Sequence, residues 1–497
     1  MTTRRQFLAG AAAPALFQIK KPARRPNILF AISDDQSWLH TSATGDPVVK
    51  TPAFDRVAAS GVLFNNAISG SPGCAPSRAA ILTGRPHWQL EEAGTHASYF
   101  PKKLRVYPDL LREAGYHIGI TAKGAGPCNF KDVGWPHNPA GPEYSARKAP
   151  APQGINETDY AANFDDFLKR RASGQPFYFW YGGTEPHRAF LKGAGRKAGK
   201  RIEDVKVPPF LPDTEEVRSD ILDYYQEIEH FDRHLGRMLD RLKEIGELDN
   251  TLVVVTSDNG MAFPRAKANM YEYGTHLPLA AAYPALGRGG RAVDDLISFT
   301  DYAPTILEAA GLKPLPVMTG RSFLAVLSSG KSGRVDAART SAYSGRERHS
   351  HARRDNLGYP SRALRTPGYL YIRNFKPDLW PAGDPEEFYD IDGSPTRDLV
   401  LQRRDRFFEL ACGKRPGEEL FDIRKDPGCL DNLARSAAHA KTLAGLRDQM
   451  DRTLKAQGDP RALGRGDIFD SYPRHSPMRP QLGGFAERGK YNPAFQK

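Results

Sequence analysis

The chain has 497 residues, of which 40% are hydrophobic, and its mean hydropathy is −0.55. This composition is typical of a soluble globular protein, and the length exceeds that of the usual single hydrophobic core, so we expect two domains. The net charge is +12, from 70 basic and 58 acidic residues. The basic residues are dispersed rather than gathered in one stripe, which argues against a nucleic-acid partner.

The amino terminus carries paired arginines, Arg4 and Arg5, followed by Phe7-Leu8 and a short run of small apolar residues. This run is too short to span a membrane and indicates a twin-arginine export signal over residues 1–22, with a disordered basic terminus as the alternative. Export to the periplasm or the cell exterior favours acidic polysaccharide as the partner of so basic a protein.

Four cysteines are too few for a disulfide framework in a chain of this length. Cys412 and Cys429 are candidates to pair in an oxidising compartment, whereas Cys128 has no evident partner.

Four continuous apolar runs predict strands that are buried on both faces: Asn27–Ser33, His117–Thr121, Phe177–Tyr181 and Leu252–Val255. Helical patterns alternate with them, at Thr51–Ser60, Lys103–Ala114, Glu215–Ile245 and Asp301–Ala310. The alternation predicts an α/β domain with a central, mostly parallel sheet flanked by helices.

The pattern changes after Ala310, where loop-rich and basic segments lead to a predicted hairpin, Ala363–Arg365 with Tyr369–Asn374. A helix is predicted at Ala434–Leu454, and the tail beyond Gly458 either wraps the surface or is disordered. We therefore expect a large domain over residues 23–360. A smaller α+β domain with an antiparallel sheet should follow over residues 361–497.

Polar residues follow each of the four predicted strands of the first domain. They are Asp34, Asp35, Lys123, His187, Asp258 and Asn259. Because ligands gather at the carboxyl ends of parallel strands, we expect these side chains to converge on one site. Its oxygen donors favour a hard cation such as calcium or magnesium over zinc, and we expect the three carboxylates to repel one another without one.

The segment Gly73–Arg85 places a cysteine, a proline and an arginine immediately before an apolar helix-forming run. A buried cysteine at a helix start is the structural alternative, but Cys74-Ala75-Pro76-Ser77-Arg78 closely resembles the sulfatase signature. The resemblance extends to Asp34-Asp35, to Ser257-Asp258-Asn259-Gly260 and to Glu419–Pro427. It implies an alkaline-phosphatase-like large domain. It also implies that a formylglycine-generating enzyme oxidises Cys74 to formylglycine, whose hydrate is the nucleophile.

The same resemblance implies the roles of individual residues. Asp34, Asp35, Asp258 and Asn259 would bind one divalent cation, usually calcium, together with the modified Cys74. The catalytic set would be Cys74, Arg78, Lys123, His187 and Lys267, with Arg78 holding the hydrate, His187 protonating the leaving group and the lysines contacting the sulfo group. The alternatives are a surface salt bridge for Arg78, a structural role for His187 and a solvated loop for Lys267.

There is one departure from the family pattern, because Ala125 stands where most sulfatases have a histidine. The base for the step that releases sulfate is therefore open, with a water molecule or His276 as the candidates.

Four segments look like the heparan N-sulfatase branch of the family, which removes the N-linked sulfo group of terminal glucosamine. They are Ala122–Gly124, Glu185–Arg188, Phe263–Lys267 and Asp390–Thr396. Predicted substrate contacts are Arg188, His276, Arg346, His349, His351 and Arg353, although residues 345–353 equally fit a solvated loop. The alternatives are a sulfatase for O-sulfate esters, a phosphonate or phosphodiester hydrolase, and a non-catalytic glycan-binding protein.

Overall fold

The structure is a computed structural model that describes residues 24–287, 289–476 and 478–483. The predicted export signal at residues 1–22 lies outside these ranges. Within them, no helix combines the length and apolarity that a membrane crossing requires.

The larger sheet has eight strands in the spatial order β3-β4-β1-β5-β7-β2-β6, with β8 also paired to β2. Their bounds are β1 Asn27–Ser33, β2 Val62–Ile68, β3 His117–Ala122, β4 Phe177–Gly182, β5 Thr251–Ser257, β6 His276–Leu277, β7 Leu279–Ala282 and β8 Arg291–Ser298. Strands β3, β4, β1 and β5 are mutually parallel, whereas β6 and β7 run against their neighbours. The predicted mostly parallel central sheet is confirmed.

Strand β1 shows why the central strands read as continuous apolar runs. Ile28, Phe30 and Ile32 pack into the core on one face of the sheet, and Leu29 and Ala31 pack into the core on the other. Since successive side chains of a strand point to opposite faces, a strand covered by helices on both sides needs apolar residues throughout.

Helices cover both faces of this sheet and also build the second domain. Their bounds are α1 Pro52–Ser60, α2 Cys74–Thr83, α3 Tyr107–Glu113, α4 Tyr160–Lys169, α5 Ala194–Lys197, α6 Glu215–Glu244, α7 Glu272–Thr275, α8 Tyr302–Ala309, α9 Leu324–Ser328, α10 Pro395–Arg403, α11 Arg406–Cys412, α12 Ala440–Ala456 and α13 Ile468–Ser471. The longest, α6, begins where the side chain of Thr214 caps the backbone N–H of Val217, and its apolar stripe packs against the sheet.

The smaller sheet is antiparallel, in the order β12-β11-β10-β9. Its strands are β9 Ala342–Arg346, β10 Ser361–Arg365, β11 Tyr369–Asn374 and β12 Glu418–Asp422, so the predicted hairpin is the β10–β11 pair. Strand β9 pairs with β10 and lies before residue 361, which places the start of this sheet upstream of the expected domain boundary.

Strands β2 and β8 were not predicted, because each interrupts its apolar residues with polar ones. Asn65 and Asn66 lie within β2, and Asp294 and Asp295 lie within β8. Residues 459–472 pack on the second sheet, where Phe469 belongs to the same buried cluster as Tyr371 and Leu420 and the carboxylate of Asp459 pairs with Arg362.

Candidate active site

The carboxyl edge of the parallel strands gathers the polar residues that the sequence places there. Strand β1 ends at Ser33 and delivers Asp34 and Asp35, and β5 ends at Ser257 and delivers Asp258 and Asn259. All four side chains are buried, with at most 1% of their surface exposed. The backbone N–H of Asp35 donates to Asp258 Oδ1 at 3.1 Å, which ties the two strand ends together.

Cys74 is the first residue of helix α2, and all ten residues of this helix are buried. Its Sγ lies 3.4 Å from Asp34 Oδ1 and 3.9 Å from Asp35 Oδ1. The Ser77 hydroxyl donates to the backbone carbonyl of Asp258 at 2.5 Å and so fixes the helix start against the end of β5. The cysteine therefore faces the carboxylates.

Arg78 lies one helical turn after Cys74 and is fully buried, so it is not a surface salt bridge. Its Nε donates to Asp258 Oδ2 at 2.7 Å, and its Nη1 donates to the backbone carbonyl of Lys123 at 2.7 Å. One guanidinium thus joins α2 to the ends of β3 and β5.

Each of the three carboxylates at this edge faces a cation of the protein. Lys123 Nζ lies 2.5 Å from Asp34 Oδ2, and Lys267 Nζ lies 2.7 Å from Asp35 Oδ2, while Arg78 pairs with Asp258. The expectation that the three carboxylates repel one another without a cation did not include these side chains, and three cationic side chains balance the three acids.

The donor set still fits a divalent cation. One oxygen or sulfur each from Asp34, Asp35, Cys74 and Asp258 lies within 4.8 Å of all the others. The amide of Asn259 donates through Nδ2 to Asp35 Oδ1 at 2.7 Å, but its Oδ1 is buried and, among the described residues, accepts no hydrogen bond. A buried oxygen without a donor, beside three carboxylates, is the environment that calcium or magnesium completes.

The acids at this edge differ in their pKa. Burial raises the pKa of Asp34, but the charges of Lys123, His187, Arg78 and Lys267 outweigh it and hold the pKa below its ordinary value. Burial, opposed by Arg78, raises the pKa of Asp258 to about 6. Burial, and then the charge of Asp34, raise the pKa of the Cys74 thiol well above its ordinary value, so an unmodified Cys74 stays protonated and is a poor nucleophile.

His187 follows β4 and stands at the open side of this site, with 40% of its side chain exposed. Its Nδ1 faces the backbone carbonyl of Arg188 at 2.6 Å, so Nδ1 carries a proton, and its Nε2 faces Lys267 Nζ at 3.2 Å. Lys267 is buried, with 6% of its surface exposed, which excludes the solvated-loop alternative.

Asp392 belongs to this site although it was not among the predicted site residues. Its Oδ2 lies 3.0 Å from Lys267 Nζ. Burial raises its pKa, but the charges of Lys267 and then His187 outweigh burial and lower the pKa to about 2. The sequence feature that could have identified Asp392 is its position in the segment Asp390–Thr396, which resembles the N-sulfatase branch.

The site opens into a cleft of about 620 Å³, and Asp34, Lys123 and His187 are among its lining residues. The other lining residues are Gly154, Ile155, Asn156, Thr184, Glu185, Arg188, Ala189 and Glu227. A cleft of this size is in the range of small-ligand sites.

His276 is not suited to act as the missing base. Its Nδ1 faces Glu272 Oε2 at 3.0 Å and its Nε2 faces the backbone carbonyl of Asn65 at 2.8 Å. Both ring nitrogens are thus engaged by oxygens of the protein, and the ring stacks on Trp38. Because its ring nitrogens are bonded within the protein, His276 is also poorly placed to contact a substrate. Ala125 is fully buried and supplies no polar side chain.

The run 345–353 is neither a solvated loop nor, for its arginines, an open sugar-binding surface. Arg346 and Arg353 pair with Asp390 Oδ2 at 2.7 and 2.8 Å, and both are buried. His351 is fully buried, and its Nδ1 accepts from the backbone N–H of Arg479 at 2.7 Å. These three side chains are bonded to other parts of the protein, which argues against their expected contact with the substrate.

Two other predicted contacts lie closer to the site. Arg188 lines the cleft, but its Nη1 and Nη2 donate to the two oxygens of Asp220 at 2.8 and 2.7 Å. His349 packs beside Gly73, where an added Cβ would lie 3.0 Å from its Cδ2. Its Nδ1 lies 3.4 Å from Asp390 Oδ1, and its Nε2 is buried with no hydrogen-bond partner in the described ranges.

All four cysteines fall within the described residues and are free thiols. Cys412 and Cys429, the pair considered from the sequence, are therefore not joined in this structure.

Comparisons with known proteins identify the family of this protein. A family model described as Sulfatase matches residues 26–312, which is more than half of the chain, so the chain belongs to the sulfatase family. It is an enzyme that hydrolyses sulfate esters or sulfamates. A second model, described as the C-terminal part of N-sulphoglucosamine sulphohydrolase, matches residues 265–402. The predicted family and its resemblance to the heparan N-sulfatase branch are confirmed.

Individual relatives refine this class. The chain is 29% identical to human N-sulphoglucosamine sulphohydrolase over 486 residues, covering 88% of this chain and 91% of the relative. It is 27% identical to an ulvan-active sulfatase of Formosa agariphila over 493 residues, covering 91% and 78%. A solved structure of a protein in complex with its substrate D-glucosamine-2-N,6-O-disulfate superposes with a TM-score of 0.66 at 20% identity, covering 88% and 99%. That likeness confirms the alkaline-phosphatase-like fold of the sulfatases.

Proposed function

We propose that this sulfatase, which acts on sulfated glycans, removes the N-linked sulfo group of glucosamine in heparan-type chains. The match of the N-sulphoglucosamine sulphohydrolase C-terminal model over residues 265–402 carries this proposal. That range contains Lys267 and Asp392, whose side chains lie 3.0 Å apart, and Lys267 also lies 3.2 Å from His187, so the matching segment would be the one that contacts the bound sugar.

We propose that Cys74 is the nucleophile after oxidation to formylglycine by a formylglycine-generating enzyme. The raised pKa of the thiol supports this, because a protonated, buried cysteine would react poorly with sulfur. The hydrated aldehyde supplies one hydroxyl for attack and a second that allows sulfate to be expelled.

We propose that Asp34, Asp35, Asp258 and Asn259 hold one divalent cation, with calcium as the expected ion. The buried Asn259 Oδ1 without a partner among the described residues supports this assignment. When bound, such a cation neutralises charge on sulfo oxygens and acts as a Lewis acid. The other contributions come from side chains of the protein. Lys123 and Lys267 place positive charge beside the sulfo group, and Arg78 holds the Cys74 side chain against the strand ends.

His187 is proposed to protonate the leaving nitrogen from Nε2, the ring atom that faces the site. Its Nδ1–H donates to the carbonyl of Arg188, which fixes the ring orientation, so the ring gives a proton from Nε2 when both of its nitrogens are protonated. An amine leaves sulfur slowly unless it gains a proton as the bond breaks, so this placement suits a sulfamate substrate.

An O-sulfate ester is the second candidate substrate, and a specific observation favours it. The ulvan-active sulfatase of Formosa agariphila matches over a longer stretch of this chain than the human relative does. A phosphonate monoester hydrolase from Silicibacter pomeroyi superposes with a TM-score of 0.65 at 19% identity, which shows the fold alone.

A panel of substrates separates these candidates. Purified enzyme is offered N-sulfoglucosamine, glucosamine 6-O-sulfate, an ulvan oligosaccharide and a phosphonate monoester at equal concentration, and kcat/KM is measured for each. We expect N-sulfoglucosamine to give the highest value. A higher kcat/KM for either O-sulfated substrate would replace the N-sulfatase assignment with that substrate, and a higher value for the phosphonate would reject both.

We further propose that the protein reaches the periplasm or the cell exterior by the twin-arginine route. Arg4 and Arg5 followed by Phe7-Leu8 support this. Replacing both arginines by lysine should retain the protein, with its formylglycine, in the cytoplasm. Unchanged export of that variant would reject the route.

A further inference from the structure

The cleft is lined by side chains of both charges. Lys123 and His187, which face the sulfo position of the proposed reaction, are among its lining residues. Two acids outside the edge of the sheet, Glu185 and Glu227, line the same cleft. A sulfo group is an anion, so these two acids are not built for it and must face another part of the ligand.

Glu185 is already bonded within the protein. Its Oε2 accepts from the Tyr160 hydroxyl at 2.9 Å, and its Oε1 lies 3.2 Å from Thr184 Oγ1. These contacts hold the carboxyl of Glu185 in place and leave it little freedom to meet a ligand.

Glu227 is different, because its carboxyl takes part in none of the hydrogen bonds or ion pairs found among the described residues. It projects from helix α6, lines the cleft and has only 5% of its surface exposed. Such a carboxyl has little contact with water and no partner in the protein, so a ligand in the cleft can supply its hydrogen bond.

The surroundings of Glu227 exclude a protein cation as that partner. Burial, and then the charges of Glu185 and Asp223, raise its pKa to about 9, and no cationic group opposes them. The nearby guanidinium of Arg188 is committed to Asp220 in a two-pronged pair. The carboxyl therefore remains available, and in either protonation state it offers an oxygen that accepts a hydrogen bond.

Sugar hydroxyls are the donors that this position fits. A cleft of about 620 Å³ holds a sugar ring, and a ring whose sulfo group lies beside Lys123 and His187 presents its hydroxyls to the rest of the lining, which includes Glu227. We propose that Glu227 binds hydroxyl groups of the sulfated sugar and thereby orients the ring for reaction. This inference rests on the proposed function, because it requires a sulfated sugar in the cleft.

The test compares a sugar substrate with one that has a sulfo group and no hydroxyls. Wild type, Glu227→Ala and Glu227→Gln are assayed by sulfate release from N-sulfoglucosamine and from 4-nitrophenyl sulfate. We expect Glu227→Ala to lower kcat/KM for the sugar about tenfold and for the aryl sulfate less than about twofold. Glu227→Gln keeps an acceptor oxygen and should lose less than Glu227→Ala on the sugar.

Glu244→Gln is the matched control, because Glu244 lies on the same helix with 65% of its side chain exposed. It should match wild type on both substrates. Equal losses on the two substrates in both Glu227 variants would overturn the inference, since they would indicate a structural role for Glu227.

A second measurement uses wild type alone and does not depend on how the variants fold. Analogues of N-sulfoglucosamine that each lack one hydroxyl are assayed in turn, and at least one should lose about tenfold in kcat/KM. If none loses more than about twofold, Glu227 has no hydroxyl partner and the inference fails while the proposed function stands. If wild type turns over aryl sulfate but no sulfated sugar, the proposed function itself fails, and this inference with it.

Discussion

Two buried clusters in this molecule both consist of paired acidic and basic side chains. They differ in which of their polar atoms lack a hydrogen-bond partner. The edge cluster, at the carboxyl edge of the main sheet, consists of Asp34, Asp35, Asp258, Arg78, Lys123 and Lys267. The Asp390 cluster, beside the second sheet, consists of Asp390, Arg346 and Arg353.

In the edge cluster the charges balance. Its one atom without a hydrogen-bond partner among the described residues is the donor Arg78 Nη2, and Asn259, at the same edge of the sheet, adds an acceptor without a partner, Oδ1. In the Asp390 cluster two guanidiniums share one carboxylate, and the unsatisfied atoms are nitrogens, such as Arg346 Nε. A buried acceptor calls for a cation or a donor, and only the edge cluster borders the cleft. Buried charge alone therefore does not mark a site, whereas the position and kind of the unsatisfied atoms do.

The largest expected effect is at Cys74. Cys74→Ala removes the side chain that faces the carboxylates of the edge cluster and leaves nothing to attack sulfur, so sulfate release from N-sulfoglucosamine should fall to the uncatalysed background. Mass analysis of the wild-type peptide that contains Cys74 should show the thiol replaced by an aldehyde. Cys128→Ala, another buried cysteine in the apolar core, is the control and should remain active. An active Cys74→Ala enzyme would contradict the proposed nucleophile.

Metal removal should have the next largest effect. Chelation should abolish turnover, and calcium or magnesium should restore it better than zinc, because the donors are oxygens. Asn259→Ala removes the unsatisfied Oδ1 and should weaken cation binding at least about tenfold, measured by titration and by metal content. Arg346→Lys, in the Asp390 cluster, should leave the metal content unchanged. An unchanged dissociation constant for the cation in Asn259→Ala would show that the amide is not a ligand.

His187→Ala should have an effect that depends on the leaving group. We expect a loss of about 10²–10⁴-fold on N-sulfoglucosamine, whose amine needs a proton, and a much smaller loss on 4-nitrophenyl sulfate, whose phenolate leaves unaided. The comparison of kcat for the two substrates is the measurement. Equal losses would indicate that His187 holds the sulfo group, and Lys267, 3.2 Å away, would then be the better candidate for the acid.

The parts of this structure that the sequence predicts are those where one local pattern decides the outcome. Strands β1, β3, β4 and β5 are buried on both faces and read as continuous apolar runs, and the parallel topology then brings Asp34, Asp35, Asp258 and Asn259 together. Strand β2 escaped prediction because Asn65 and Asn66 break its apolar run.

The parts that were missed depend on partners far away in the chain. The basic run 345–353 looks solvated until Asp390 supplies its counter-charge, and no local pattern shows that pairing. Glu227 was missed for a related reason. On α6 it lies outside the apolar stripe that the sequence shows, and only the folded cleft reveals that this polar position is buried.

The smallest expected effect on catalysis is at Arg353, and it separates the two clusters most directly. Arg353 is 1% exposed, and it pairs with Asp390 and donates to the backbone carbonyls of Trp380 and Pro381 at 2.9 and 2.7 Å. Arg353→Met fills much of the same space without the charge, so the buried carboxylate keeps Arg346 as its cation but loses one partner.

Removing one partner of a buried ion pair costs about 3 kcal/mol of stability, so the melting temperature of Arg353→Met should fall clearly below that of wild type. The KM for N-sulfoglucosamine should change less than about twofold, because the guanidinium does not line the cleft. The neighbouring Arg354 is exposed and serves as the control, since Arg354→Met should leave both quantities unchanged. A rise in KM without loss of stability would indicate that Arg353 contacts the sugar. The Asp390 cluster would then belong to the substrate site, as the edge cluster does.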